Sequence, residues 1–277
     1  MIGKHPATLA IMQAIDKAAH TDRHVLITGE TGTGKELIAN AIQQQSRRNK
    51  QVYIQINCTV FHPGSVGRPL AGYRQELFAD AKQRGRGLIE EATGGTLLLD
   101  EIESLPLPIQ AKLSLFIDQN NQQTNGKKDD QSRKSNNVRL LAVSNADLRQ
   151  RVEEGLFRPD LFFRLNAIQL HAPALRERKS DIPLLIGYYL GKMSKRHAAP
   201  CPSLTRDTLD RLIDYPWPGN IRELRNVCEN LVVRRLSDKV RPEQLPINQD
   251  EIGKSYSLFS SQEDDLSETN LQVVSVG

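Results

Sequence analysis

The stretch GETGTGKE, Gly29 to Glu36, constrains this chain more than any other part of it. Glycines spaced in this way let successive backbone N–H groups turn inward on a triphosphate, and a lysine closing the turn reaches the outer phosphates. A serine or threonine hydroxyl usually follows and meets Mg2+. Gly29, Glu30, Thr31, Gly32, Thr33, Gly34 and Lys35 supply the cradle, whereas Glu36 stands in the hydroxyl's place. The flanks are those such a loop requires. HVLIT (His24 to Thr28) is a short β-branched run fit for a buried strand, and ELIANAIQQQ (Glu36 to Gln45) reads as a helix. Strand, glycine turn and helix in that order favour a phosphate loop over a chance glycine-rich turn.

A chain of 277 residues suffices for one large domain or two modest ones, and no apolar run in it approaches a membrane span. Cys58, Cys201 and Cys228 are few, scattered and odd in number, without the paired spacing of zinc sites. They read as buried, reduced cysteines of a cytoplasmic protein. No basic, apolar, small-residue leader precedes the first helical stretch, so export is not expected. The net charge of +4 is unevenly spread: six acidic residues against one lysine from Gln249 onward leave an excess of nine positive charges elsewhere. A basic body favours phosphates or nucleic acid, although an ordinary solvated surface carries a modest excess as well.

Strand-like runs alternate with helix-like ones through VYIQI (Val52 to Ile56), TLLLD (Thr96 to Asp100), VRLLAVS (Val138 to Ser144) and AIQLHA (Ala167 to Ala172). The expected fold class is therefore α/β, a parallel sheet flanked by helices. From Asp181 the pattern changes to helical periodicity in DIPLLIGYYLGKMSKR, LTRDTLDRLIDY and NIRELRNVCENLVVRRL, which predicts a small all-helical domain. The boundaries fall at 1–175 for the nucleotide-binding part, 176–240 for the helical part and 241–277 for an acidic, Ser-rich linker or tail. A second polar tract, Asn120 to Asn137, carries almost nothing that a core could bury.

The run TLLLDE ends an apolar strand in two carboxylates, Asp100 and Glu101. After a phosphate loop, such a pair is where Mg2+ is held and water is oriented, which gives Asp100 the metal and Glu101 the role of base.

With both motifs in hand, the chain resembles the central AAA+ ATPase domain of bacterial enhancer-binding proteins, the activators of sigma-54 RNA polymerase, over roughly residues 1 to 236. GETGTGKE is similar to that family's GESGTGKE, so Glu36 after the lysine is normal there. The resemblance carries a switch asparagine onto Asn57 in QINCTV and a sensor residue onto Asn145 in VSNADL. LFRPDLFFRL resembles the segment whose arginines reach a neighbouring subunit's site, at Arg158 and Arg164, and YPWPGNIREL places a lid arginine at Arg222. Taken singly, each arginine would more often be a solvated charge or an ion pair, and Asn220 reads simply as a helix cap. What the resemblance implies is an ATP- and Mg2+-dependent domain that hydrolyses ATP only as an oligomer, a hexamer or other ring, with a dimer as the form without ligand.

The departures are as informative. Where the family carries GAFTGA, the loop that grips sigma-54, this chain has ELFADA: Glu76, Leu77, Phe78, Ala79, Asp80 and Ala81. Glycine reaches backbone conformations closed to Glu76 and Asp80, and Ala79 lacks the threonine's hydroxyl. The expectation is a transcription regulator that keeps its nucleotide site and works with RNA polymerase other than through sigma-54. The alternative is a ligand-sensing scaffold without hydrolysis, responsive for example to cyclic di-GMP, for which Arg84, Arg86 and the site near Lys35 are candidate contacts. Promoter DNA would be contacted by a domain absent from this chain, and no membrane partner is expected.

Overall fold

All five strand-like runs form strands, because each is long enough to cross a sheet and apolar enough to be buried in one. The computed structural model describes residues 1–61, 88–125, 137–234, 239–247 and 273–274. In chain order it contains α1 (Pro6–Ala19), β1 (Val25–Thr28), α2 (Lys35–Gln45), β2 (Tyr53–Asn57), α3 (Leu88–Glu91), β3 (Thr96–Asp100), α4 (Leu107–Asn125), β4 (Arg139–Ser144), α5 (Leu148–Glu153), α6 (Pro159–Leu165) and β5 (Ile168–His171). There follow α7 (Ile182–Arg196), β6 (Ser203–Leu204), α8 (Arg206–Asp214), α9 (Asn220–Val233), β7 (Lys239–Val240) and β8 (Val273–Val274). Short 3-10 turns stand at Cys58–Val60, Ile102–Ser104, Leu175–Asp181 and Pro242–Gln244. Among the described residues no helix is long and apolar enough to cross a membrane.

Two compact units emerge. The sheet unit holds residues 14–28, 35–171 and 271–277; the lid unit holds residues 1–13, 29–34 and 172–270. In the sheet unit the strand order is β5-β1-β4-β3-β2, all parallel, with the two-residue β8 antiparallel on the outer side of β2. The inner strands β3 and β4 are buried almost throughout, whereas β2 and β5 alternate buried with more exposed residues. Helices covering both faces demand this near-continuous apolar run in central parallel strands. Leu97, Leu99 and Leu140 of the sheet share one core with Ile109, Leu113 and Ile117 of α4 and with Leu161 and Leu165 of α6. Burying one such side chain contributes about 1.5–3 kcal/mol.

Parallel strands end on the same edge, so Thr28, Asn57, Asp100, Ser144 and His171 all terminate strands there. Moreover, β1 lies between β4 and β5, both later in the chain, so the crossover leaving β1 runs away from its neighbours. Ligands of open α/β sheets bind outside the carboxyl ends of strands at such a switch point.

The lid unit packs α7, α8 and α9 around Trp217, which is fully buried and donates its indole N–H to the Leu212 carbonyl at 2.8 Å. Thr205 starts α8 by accepting the Thr208 N–H on its hydroxyl, the arrangement expected of an N-cap. Asp181, buried ahead of α7, accepts the Lys4 and His5 N–H groups and the Thr8 hydroxyl, which ties the N-terminal segment to this unit. Burial opposes the charge of Asp181, but these donors outweigh it and hold the carboxyl below its usual range.

Several expectations need correction. Helix α4 continues to Asn125, so the polar tract from Asn120 begins as helix; residues 126–136 lie outside the described residues. The lid is helical, as expected, and also carries a short parallel ladder of β6 and β7. Leu245 and Ile247 are buried in the lid core, so packing passes residue 240, where the composition placed the start of a linker. Beyond it, Val273 and Val274 pair with Ile54 and Tyr53. Cys58 and Cys228 are buried, but Cys201 is exposed; all are free thiols. Glu76 to Ala81, expected to replace the family's contact loop, and the candidate contacts Arg84 and Arg86 lie outside the described residues.

Candidate functional site

In the sheet unit the carboxyl edge gathers the polar residues singled out from the sequence. Lys35 is buried at the head of α2 and Glu36, beside it, is exposed. Asp100 closes β3, and its parallel partner in the register is Asn57, the last residue of β2. Burial first, and the neighbouring Glu36 second, push the Asp100 carboxyl up to about 6; Glu101 adds to the rise, while its backbone N–H and Lys35 oppose it. That N–H donates to Asp100 Oδ1 at 3.0 Å. The same field reaches Tyr53 and Cys58, both held above their ordinary range by burial and then by these carboxylates.

Glu101 itself has φ of 52° and ψ of 48°, a left-handed conformation that side chains with a Cβ adopt at a cost of about 1–2 kcal/mol. Strain of this kind persists where the surroundings over-determine it, and it gathers at functional positions. Asn57 accepts the N–H and hydroxyl of Thr59 at 2.9 and 2.8 Å, which caps the turn Cys58–Val60. Asn145 follows β4 in a turn pinned by Ser144 to Ala146 and donates its N–H to Glu103 Oε1 at 2.9 Å. Glu103 thus joins the ends of β3 and β4, a role the sequence did not announce.

In the lid unit the phosphate loop is held by its carbonyl groups. The Glu30 carbonyl accepts the Thr33 hydroxyl at 2.7 Å. Thr31 O accepts Asn220 Nδ2 at 3.0 Å, Gly32 O accepts the N–H groups of Ile221 and Arg222 at 2.9 and 3.3 Å, and Thr33 O accepts Arg178 Nη2 at 3.1 Å. Gly32 has φ of +78°, and a Cβ there would collide with the Gly219 carbonyl. The glycine is therefore required by the close approach of α9 as well as by the turn. Arg222, exposed in the first turn of α9, lies with its Cβ 3.1 Å from where that Gly32 Cβ would stand. On the loop's side chains, Glu30 takes a two-point ion pair from Arg176 and a hydrogen bond from Asn220 Nδ2 at 3.1 Å. Arg178 is buried, and burial lowers its pKa.

Arg158 and Arg164 sit elsewhere in the sheet unit, at the two ends of α6. Arg158 pairs with Asp160 through Nε at 3.0 Å and Nη2 at 3.2 Å. Arg164 pairs with Asp118 of α4 through Nε and Nη2, each at 2.7 Å, donates to Ser114 Oγ, and lies 3.3 Å from Asp160. The hydrogen bond from Arg158, followed by that from Ser114, holds the Asp160 carboxyl down at about 2 against its slight burial. Within one chain both guanidinium groups thus form ion pairs, the ordinary use of such residues.

The structure therefore brings Lys35, Glu36, Asn57, Asp100, Glu101 and Asn145 to one edge of the sheet, sets Gly29–Gly34 against Arg222, and keeps Arg158 and Arg164 on α6. Asn220 does not cap α9 with its side chain; Gly219 occupies the cap position. The loop contacts of Asn220, Arg176 and Arg178 were missed in the sequence. The one available signal was the asparagine after Gly219, a residue type that tolerates positive φ, here +52°.

Comparison with known proteins agrees with the fold. A family model for the sigma-54 interaction domain matches residues 1–171, and one for an AAA+ ATPase lid domain matches residues 176–257. The transcriptional regulatory protein ZraR of Escherichia coli K12 is 37% identical over 247 residues, 89% of this chain and 55% of ZraR. The chain thus spans about half the length of this curated relative. Among solved structures, NtrX from Brucella abortus in complex with ADP has a TM-score of 0.76 at 29% identity, covering 97% of this chain and 61% of that one. The same protein in complex with ATP has a TM-score of 0.76 at 27% identity, covering 96% and 63%.

Proposed function

The chain belongs to the sigma-54 interaction domain family, followed by an AAA+ lid, and on that premise we propose that it is the ATP-driven domain of a bacterial transcription regulator. It binds ATP and, assembled as a hexamer or another ring, hydrolyses it to ADP and phosphate. The observation that carries this reading is Asp100 at the strand end, in one electrostatic cluster with Lys35, Glu36 and Glu101. A carboxyl such as Asp100, raised by burial and then by neighbouring carboxylates, marks a place where a cation is wanted.

The roles follow from the chemistry of phosphoryl transfer, in which charge spreads over the transferred oxygens and the protein acts by positioning and electrostatics. Lys35 neutralises the outer phosphates. The donor set suits Mg2+, which binds through one or two carboxylates plus nucleotide phosphates; Asp100 would hold it, and it would supply charge neutralisation there. Glu101 polarises the attacking water, with Asn57 opposite the preceding Asp100 at the end of β2 and Asn145 fixed through Glu103. Arg222 approaches the phosphates from the lid. Arg158 and Arg164 serve the nucleotide of an adjacent copy, which makes turnover depend on assembly.

The partner is RNA polymerase, reached other than through sigma-54. That part rests on the residue types of ELFADA, Glu76 to Ala81, which replace a glycine-bounded loop by carboxylates. Promoter DNA is read by residues outside this chain.

Calorimetric titration with ADP and ATP, compared with Lys35→Ala, tests nucleotide binding. Phosphate release measured against protein concentration tests the ring, and linear dependence from the lowest concentrations would count against it. Binding without turnover at any concentration would instead leave a nucleotide-sensing scaffold. A stable complex with sigma-54 in the presence of an ATP transition-state mimic would overturn the reading of the contact loop.

A further inference from the structure

We infer that Asn220 is the positioning residue that sets the shape of the phosphate loop, an assignment that deepens the nucleotide reading above and rests on it. The side chain is fully buried and every polar atom on it is used. Its Oδ1 accepts the Leu175 N–H at 2.7 Å, and its Nδ2 donates to Thr31 O at 3.0 Å and to Glu30 Oε2 at 3.1 Å. One amide therefore spans from the chain entering the lid to the loop's backbone and the loop's acidic side chain.

The consequence for the loop is directional. In a trans peptide the carbonyl and the N–H of the following residue point opposite ways. Holding Thr31 O on the Asn220 amide turns the Gly32 N–H to the other side, and holding Thr33 O on Arg178 does the same for the Gly34 N–H. The two N–H groups of α9 fix Gly32 O on the same side, and the Thr33 N–H that follows it donates back to the Glu30 carbonyl at 3.4 Å, so the Gly32 and Gly34 N–H groups are the ones turned outward. A row of carbonyls fixed on the lid side is what makes the opposite side a concave row of N–H groups, the arrangement that binds a phosphate.

The residue type is specific to this task. At φ of +52° only asparagine, aspartate and glycine are readily tolerated. Aspartate lacks the donors and would set a second carboxylate against Glu30, and glycine has no side chain. Asparagine alone combines the backbone conformation with an acceptor on one side and two donors on the other.

The test uses the whole chain. Asn220→Gly keeps the backbone conformation accessible and removes the amide; Glu30→Ala removes one of its partners from the half-exposed loop side and leaves the lid core intact. Wild type, both variants and Lys35→Ala are titrated with ADP, and hydrogen exchange of residues 29–34 is followed without nucleotide. Expected is an ADP affinity about ten-fold or more weaker for Asn220→Gly, the scale of hydrogen bonds that involve a charged group, and a smaller loss for Glu30→Ala. Loop amides should exchange faster in both variants while β1 stays protected.

If Asn220→Gly binds ADP like wild type with unchanged loop exchange, the assignment falls. Should that variant not fold, Glu30→Ala decides alone: unchanged affinity and exchange overturn the assignment, and a loss in both sustains it. Failure of wild type to bind ADP would overturn the nucleotide reading, and the exchange measurement, which needs no nucleotide, would still decide whether Asn220 shapes the loop.

Discussion

Arg164 grips Asp118 at two points, Nε and Nη2 each 2.7 Å from a carboxylate oxygen. A guanidinium held this way within its own chain must leave its partner to serve a neighbour's phosphate. Arg164→Ala should lower turnover by about 10³-fold or more, the scale of a lost arginine finger, while ADP affinity stays within about two-fold, a factor worth less than half a kcal/mol. Mixing it with Lys35→Ala, which cannot turn over but still offers Arg164, should restore part of the phosphate release. Absence of any recovery across mixing ratios would refute the composite site.

Strain at Glu101 makes a separate prediction. With φ of 52° the residue pays for its position, so Glu101→Gly should be more stable than Glu101→Ala by about 1 kcal/mol. Neither variant should hydrolyse ATP, and both should bind it. Urea denaturation of the two variants side by side measures the difference; equal midpoints would mean that the backbone is relaxed there.

His24 gives the chain a pH dependence. Its Nδ1 accepts the Leu140 N–H at 3.1 Å, and burial, then Arg139 and Arg48, push its pKa from 6.5 down to about 4. The fold therefore keeps the ring neutral, whereas the unfolded chain takes up a proton below pH 6.5. Stability from this group is fully present above pH 6.5 and is lost as pH falls towards 4, by up to about 3 kcal/mol. His24→Asn, which keeps an acceptor but does not titrate, should flatten that part of the curve. A wild-type stability that does not fall between pH 6.5 and 4 in excess of the variant's would contradict the assignment.

Leu245 is buried in the lid core although it lies beyond α9. Leu245→Ala should destabilise the lid by about 2–4 kcal/mol through lost burial and the cavity left behind. Circular dichroism in urea would register the shift; a change below about 0.5 kcal/mol, the size of an ordinary surface substitution, would mean that the residue is not core.

Much of this was legible in the sequence because it is local. Periodicity located all five parallel strands and the lid helices, and the strand-to-helix setting of GETGTGKE marked the phosphate loop. Asp100 and Glu101 could be found because an apolar strand ending in carboxylates is visible in one window. What could not be read is contact between distant segments. Asn220 and Thr31 are far apart in sequence, as are Arg164 and Asp118, so a polar side chain in each case looked like a cap or a solvated charge. Composition also misled at Leu245 and Ile247, because two apolar residues in a polar stretch carry no period, although packing needs only their burial.

Trp217 is the chain's single tryptophan and stands three residues before Asn220. Its indole is sealed from solvent and anchored to Leu212. Excited near 295 nm, the protein should carry a built-in optical gauge: a blue-shifted emission, poorly quenched by iodide, that reports on the lid alone with no dye attached. Any rearrangement that loosens α9 from Gly32 should register there as a red shift.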